Sequence, residues 1–307
     1  MEIISSANFA TLHNEETVFY SHVFDLNLVF DKIRQKDHDV ILISGCGDVG
    51  IDNFYAPDNV KYWFAQNALS NDERIIPIPI GMCNGFEHQI PGQTSIGCGG
   101  SYEYCDVMSQ MLIDKFLNDS SVPTEFMYAN FTISSNQGYR SVVKDMAVAS
   151  DFINYEDPED VGFVSGVGMY LEEDGAEKYI QKILNHEAIL CPIGAGIDTH
   201  RLWEALYCKR IPITINSNTF RHEKVSQSPH HPGETWYVPP LQNEYSIYTK
   251  LYSQLPVVVL NSYRELFDKS RLERLIQEQK KKEYNTNLLD FNYWKTMILD
   301  YEKTLLL

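Results

Sequence analysis

The chain has 307 residues, 44% of them hydrophobic, enough for one large core or two moderate ones, and it carries a formal net charge of −17. Such acidity without a basic stripe excludes a surface that tracks a nucleic-acid backbone or an anionic bilayer, so an anionic ligand would need a local cationic pocket. No apolar run is long enough to span a bilayer, and MEIISSANFATLHNEE has neither the basic flank nor the apolar stretch of a secretion signal; a cytoplasmic protein without membrane insertion is expected.

The first feature in chain order is DVILISGCGDVGIDN, in which Gly45, Gly47 and Gly50 spell G-x-G-x-x-G after a strand-like run, Val40 to Ser44. A dinucleotide site needs a helix there, to offer its free N–H groups to a pyrophosphate. The sequence instead continues IDNFYAPDN, with Pro57 close behind and no helical spacing, which argues against that site. Further strand-like runs are Lys61 to Ala65, Ile75 to Ile80, Phe126 to Ile133, Ala188 to Ile193, Ile211 to Ile215 and Pro256 to Leu260. Helices are expected over Asp106 to Leu117, Ser141 to Ser150, Ala176 to Asn185, Asp198 to Cys208 and Ser262 to Phe267, with a charged helical end from Lys269. Apolar strands alternating with helices predict an α/β fold with parallel sheets covered on both faces. The turn-rich stretch Asn118 to Thr124 divides it into an N-terminal domain, 1–122, and a C-terminal domain, 123–270, followed by helices over 271–307. Trp294, Ile298 and Tyr301 give that tail an apolar face, expected to pack on the second domain, with a return to the first as the alternative. The six cysteines form no C-x-x-C pair and have no companion histidines at zinc spacing, so reduced thiols are expected and no metal site.

The run Glu187 to Thr214, EAILCPIGAGIDTHRLWEALYCKRIPIT, carries the chemistry. A strand leads into a turn permitted by Gly194 and Gly196, Asp198 is suited to cap the next helix, and Thr199 begins it. This is an anion cradle: helix N–H groups and the positive dipole end, with His200 and Arg201 adding the charge that the rest of the chain lacks. Glu204 stands one turn beyond His200, where a carboxylate could accept from both hydroxyls of a ribose. Taken singly, Asp198 could only cap, Arg201 could pair with an acid, and Glu204 could sit on a solvated face.

Cys191-Pro192-x-Gly194-x-Gly196-x-Asp198-Thr199-His200-Arg201-x-Trp203-Glu204-Ala205-Leu206, followed by Ile211-Pro212, resembles the donor-site motif of exostosin-like glycosyltransferases, most of all the compact soluble forms that include those of large algal DNA viruses. Tyr62 to Asn67 with Ile78 to Gly81 is similar to that family's N-terminal domain, and Tyr128 to Phe131 with Asn136 and Arg140 to the first strand and turn of its donor domain. The resemblance implies the GT-B architecture, two Rossmann-like domains facing a cleft, and an inverting transfer of sugar, with xylose as the first guess, from a uridine-diphosphate (UDP) sugar to an oligosaccharide acceptor. No cofactor beyond that nucleotide-sugar donor is expected. Arg140, His200 and Arg201, with the backbone from Gly194 to Thr199, would hold the departing diphosphate, and Asp48 is the candidate base, then Asp52, then His13. The glycines at 45 to 50 would then shape an acceptor-facing loop. Golgi members of the family carry a membrane anchor that is not seen here, so their acceptor and location do not transfer. Two rivals are weighed beside this reading: a binding protein of the same fold without transfer activity, and a metal-dependent transferase marked by Asp37-His38-Asp39. That triplet precedes its strand rather than following it, and is read as a solvated turn.

Overall fold

The computed structural model describes residues 1–47, 50–51, 55–70, 72–82, 102–161, 163–164, 169–170, 174–215 and 246–306. A four-stranded parallel sheet takes the order β1 (Val18–His22), β2 (Val40–Gly45), β3 (Val60–Ala65), β4 (Ile75–Pro77). A five-stranded parallel sheet follows, built from β5 (Glu125–Ala129), β6 (Ile153–Tyr155), β9 (His186–Leu190), β10 (Ile211–Ile215) and β11 (Val258–Leu260), in the order β11-β10-β9-β5-β6. Between β6 and β9, the pair β7 (Phe163–Val164) and β8 (Met169–Tyr170) is antiparallel. The helices are α1 (Ser6–Ala10), α2 (Leu26–Ile33), α3 (Tyr102–Asn118), α4 (Gln137–Ala149), α5 (Pro158–Val161), α6 (Gly175–Asn185), α7 (His200–Tyr207), α8 (Ser246–Tyr252), α9 (Lys269–Lys280) and α10 (Phe291–Leu305). None of the described helices is long and apolar enough to cross a membrane.

Both sheets are covered on two faces, as the uninterrupted apolar runs require. On β3, Trp63 meets Phe30 of α2 edge to face, while its neighbours Tyr62 and Phe64 meet Tyr301 of α10 on the other side. In the second sheet, Met127 and Ala129 join the core under α4 and α9 through Val143, Ala147, Leu272 and Ile276, whereas Tyr128 and Ile189 point into the core with Tyr179, Ile183 and Trp203 of α6 and α7. That second core is continuous with the core of the first sheet. The alternation is the period of two that every strand imposes on its side chains.

The tail departs from its first expectation. Helix α9 does pack on the second sheet, but α10 returns to the first. Phe291 meets Phe9 edge to face, the Phe291 N–H donates to Glu2 O (2.9 Å), and the side chains of Asn14 and Thr17 donate to Glu302. Strand β1 and helix α2 are not among the expected elements, because VFYSHVFDLNLVF passes from strand to helix through the short turn Val23–Asp25 without Gly or Pro, leaving no break in the apolar pattern. Phe291→Ala removes the anchor of the returning helix and is expected to lower the unfolding free energy by about 3–5 kcal/mol. Urea denaturation measures this, and a loss under about 1 kcal/mol would show that the contact contributes only surface packing.

Candidate functional site

The chain leaves β5 for β6 on one side and reaches β9 on the other, so the direction of the second sheet reverses between β5 and β9. In open α/β sheets the loops at the carboxyl ends of two such strands are where ligands bind. Here the loops are Asn130–Asn136, entering α4, and Cys191–Thr199, entering α7.

Arg140, from the start of α4, stitches the loops together: Nε donates to Ile193 O (3.0 Å), Nη1 to Thr132 O (2.9 Å) and Nη2 to Pro192 O (3.1 Å). Its guanidinium lies over the Phe131 ring. Asn136 donates to Gly194 O (2.9 Å), and the Gly194 N–H donates to Gly196 O (3.0 Å), closing the turn. A methyl group on Gly194 would stand 3.1 Å from Arg140 Nη2 and 3.7 Å from Ser135 Oγ, so the buried cation and the α4 entry lie against the glycine turn. The main chain takes these three donor contacts of Arg140.

Asp198 does not cap α7. Thr199 occupies the cap position with extended backbone, and its side chain makes no cap bond. The buried Asp198 carboxylate instead joins the two halves of the molecule: Oδ2 accepts from the Ile80 N–H (2.8 Å), Oδ1 from the Tyr252 hydroxyl (2.8 Å) and the Thr199 N–H (3.0 Å), and both oxygens from Trp203 Nε1 (2.9 Å). Burial pushes its pKa up to about 6, against the pull of these donors and of His200. The Asp198 N–H donates to Asn67 Oδ1 (3.0 Å), and His200 Nδ1 pairs with Gly81 O (2.8 Å), so α7 begins pinned to the first sheet.

Beneath the turn, the buried Arg201 donates through Nη2 to Asn130 Oδ1 (3.2 Å) and lies over the Tyr179 ring. Burial opposes its charge, but Tyr179, Glu204 and Cys191 outweigh that and raise its pKa above the ordinary value. Glu204 is fully buried and accepts from the Tyr179 hydroxyl (2.6 Å).

Three buried polar atoms flank the same turn without hydrogen-bond partners: Ser135 Oγ, Thr199 Oγ1 and Arg201 Nε. A buried unsatisfied donor typically costs about 1–3 kcal/mol, so a cluster of them marks where a ligand would restore binding partners. His13 lies elsewhere, at the outer edge of the first sheet: its Nδ1 accepts from the Tyr20 N–H and its Nε2 stands 3.7 Å from Glu15 Oε1.

Asp48 and Asp52 lie outside the described residues. Their neighbour Gly47 does not: its carbonyl accepts from Asn67 Nδ2 (3.1 Å), the side chain whose oxygen holds the Asp198 N–H. The G-x-G-x-x-G glycines sit in close packing: a Cβ would come within 2.5 Å of Gln66 Oε1 at Gly45, 2.1 Å of a Val23 methyl at Gly47 and 2.1 Å of a Leu69 methyl at Gly50, so each of those side chains would have to shift. Ile51 then bridges to Ala68, and the described residues from Tyr55 to β3 are not helical, in keeping with the case against a dinucleotide fingerprint. Among the described residues no group of three or more His, Cys, Asp or Glu side chains is placed to hold a metal ion. No family model matches the chain, and no curated protein is detectably similar to it.

The raised pKa of Asp198 fixes the sign of one prediction. Its carboxyl holds a proton more tightly folded than unfolded, so its contribution favours the fold most below the unfolded value of 3.8 and fades as pH rises through about 6. The stability difference between the parent and Asp198→Asn should therefore be larger near pH 4.5 than near pH 7.5 by about 2 kcal/mol. Paired denaturant titrations at the two pH values measure it; an unchanged difference would show that the carboxyl titrates in its usual range, and a reversed one that its pKa is lowered by folding.

Proposed function

We propose that this chain is an inverting glycosyltransferase of the GT-B type that moves a sugar from a UDP-sugar to a glycan hydroxyl. The observation that carries this reading is the cluster of unpartnered donors, Ser135 Oγ, Thr199 Oγ1 and Arg201 Nε, around the Gly194–Thr199 turn at the reversal point of the second sheet. In a chain of net charge −17, two buried guanidinium groups at the entries of two helices make this an anion seat. Two further features support it: the first sheet meets the turn through Asn67 and Ile80, and α10 crosses back to the first sheet.

The roles follow from the reaction. The sugar hydroxyl is a poor nucleophile at neutral pH and needs a base, for which Asp48, then Asp52, are the candidates on the loop that Asn67 holds at Gly47. As the bond from the sugar to the diphosphate breaks, negative charge grows on the leaving oxygen. The hydroxyls of Ser135 and Thr199 and the Arg201 guanidinium would donate to it, with Arg140 and His200 adding positive charge around the turn. Xylose remains the first sugar to try, on resemblance alone.

Thr199→Val and Ser135→Ala test the seat cleanly, because each deletes a hydroxyl that bonds nothing in the free protein. Arg201→Ala would not, since it also strips a buried counter-charge from Glu204. Both hydroxyl variants should keep or slightly raise the melting temperature, while UDP affinity in calorimetric titration falls about 5- to 10-fold, as expected for one lost hydrogen bond. Absence of UDP binding by the parent, or unchanged affinity in both variants, would overturn the reading. Product analysis with a UDP-sugar panel and simple glycosides then decides transfer, and binding without any transfer would leave a nucleotide-sugar binding protein.

A further inference from the structure

Asn67 lies just beyond the end of β3, fully buried, with left-handed backbone (φ 50°). All of its polar groups are engaged. Its N–H donates to the Tyr248 hydroxyl (2.7 Å) and its carbonyl accepts from the Ile51 N–H (3.0 Å). The side-chain oxygen accepts from the Asp198 N–H (3.0 Å), and the side-chain nitrogen donates to Gly47 O (3.1 Å). One planar amide therefore spans the loop after β2 and the turn after β9, two segments from different sheets. The fit is close: a Cβ on Gly196 would fall 2.5 Å from Asn67 Oδ1 and 2.7 Å from Nδ2, so Gly196 is small because Asn67 fills the space.

The two bonds use the two ends of the amide in opposite senses. Only an acceptor suits the Asp198 N–H, and only a donor suits the Gly47 carbonyl, so a carboxylate or a hydrocarbon of the same shape would satisfy one side or neither. Asn also tolerates the left-handed backbone better than most residues. Packing alone would not call for a group that is acceptor on one side and donor on the other, facing two loops of separate domains.

We infer that Asn67 is a positioning residue that holds the loop after β2 in register with the turn after β9, and so sets where the acceptor-side groups stand relative to the donor. The catalytic half of this inference rests on the transferase reading above; the structural half does not. The test is Asn67→Gly, which keeps the left-handed backbone and both main-chain bonds while deleting the amide. By hydrogen exchange, peptides covering Cys46–Ile51 and Asp198–Thr199 should each lose at least about tenfold protection, with β2 and β9 unchanged. In the same variant, kcat for transfer at saturating donor should fall at least about tenfold, in addition to the loss of UDP affinity, about 5- to 10-fold, expected when the turn carrying Thr199 loosens. Parent-like protection in either peptide, or an unchanged kcat alongside lost protection, would overturn the proposal. If the parent itself transfers no sugar, the transferase reading fails, and the exchange result alone decides whether Asn67 holds the two segments together.

Discussion

The arrangement depends on one buried carboxylate. Asp198 is dehydrated, and an ionised carboxylate in that position is tolerable only if donors replace its water. Those donors come from separate parts of the chain: Ile80 after β4, Trp203 in α7 and Tyr252 in α8. In a low-dielectric interior such a set is strong when complete and costly when partial, so it favours a single arrangement of its members. Its consequence is geometric. The start of α7, the end of the first sheet and α8 meet at one point, and the glycine turn is held facing the loops of the other sheet before any ligand arrives. The continuous apolar core around this point supplies most of the binding energy between the halves, while the carboxylate selects their register.

Against that background the unpartnered atoms gain meaning. Within the same few turns of chain, Asn67 has every polar group matched, whereas Ser135 Oγ, Thr199 Oγ1 and Arg201 Nε have none of theirs matched. Elsewhere the fold meets its donors readily: Arg210, buried at the edge of the second core, donates to Leu184 O, Lys209 O and Ser121. A local deficit at a reversal point, beside a locally saturated scaffold, is the observation on which the proposed anion seat rests.

What could be read from the sequence was what lies contiguous in it. Strand, glycine turn and helix within Glu187 to Thr214 are all found, and the α/β alternation correctly implied two parallel sheets. The failures share one cause, which is tertiary override. Asp198 has good cap chemistry, but its partner Ile80 is 118 residues away, and no local pattern signals that bond. Glu204 meets the Tyr179 hydroxyl of α6, another buried contact that no local pattern signals. The spacing in α10 marks an amphipathic helix without saying which sheet receives it; Tyr62 and Phe64, alternating on β3, supply that answer only in three dimensions. The glycines at 45, 47 and 50 spell a phosphate motif although their neighbours are Gln66, Val23 and Leu69, because a tight approach to protein demands the same absence of Cβ as a tight approach to phosphate.

Charge closes the argument. A strongly acidic protein repels anions at long range, so any anion site must draw its attraction from nearby groups that solvent does not screen. Arg140 and Arg201 answer that need in two ways. Carbonyl oxygens of Thr132, Pro192 and Ile193 hold the Arg140 guanidinium in place. Arg201 is placed near Glu204, Tyr179 and Tyr128, which stabilise its charged form in spite of burial, while its Nε stays unmatched. One guanidinium is thus fixed by main-chain carbonyls, and the other, beside Glu204, keeps an open donor next to two unmatched hydroxyls at helix entries. Under the proposed reading, these several donors would serve an extended group such as a diphosphate better than a single carboxylate, which needs fewer.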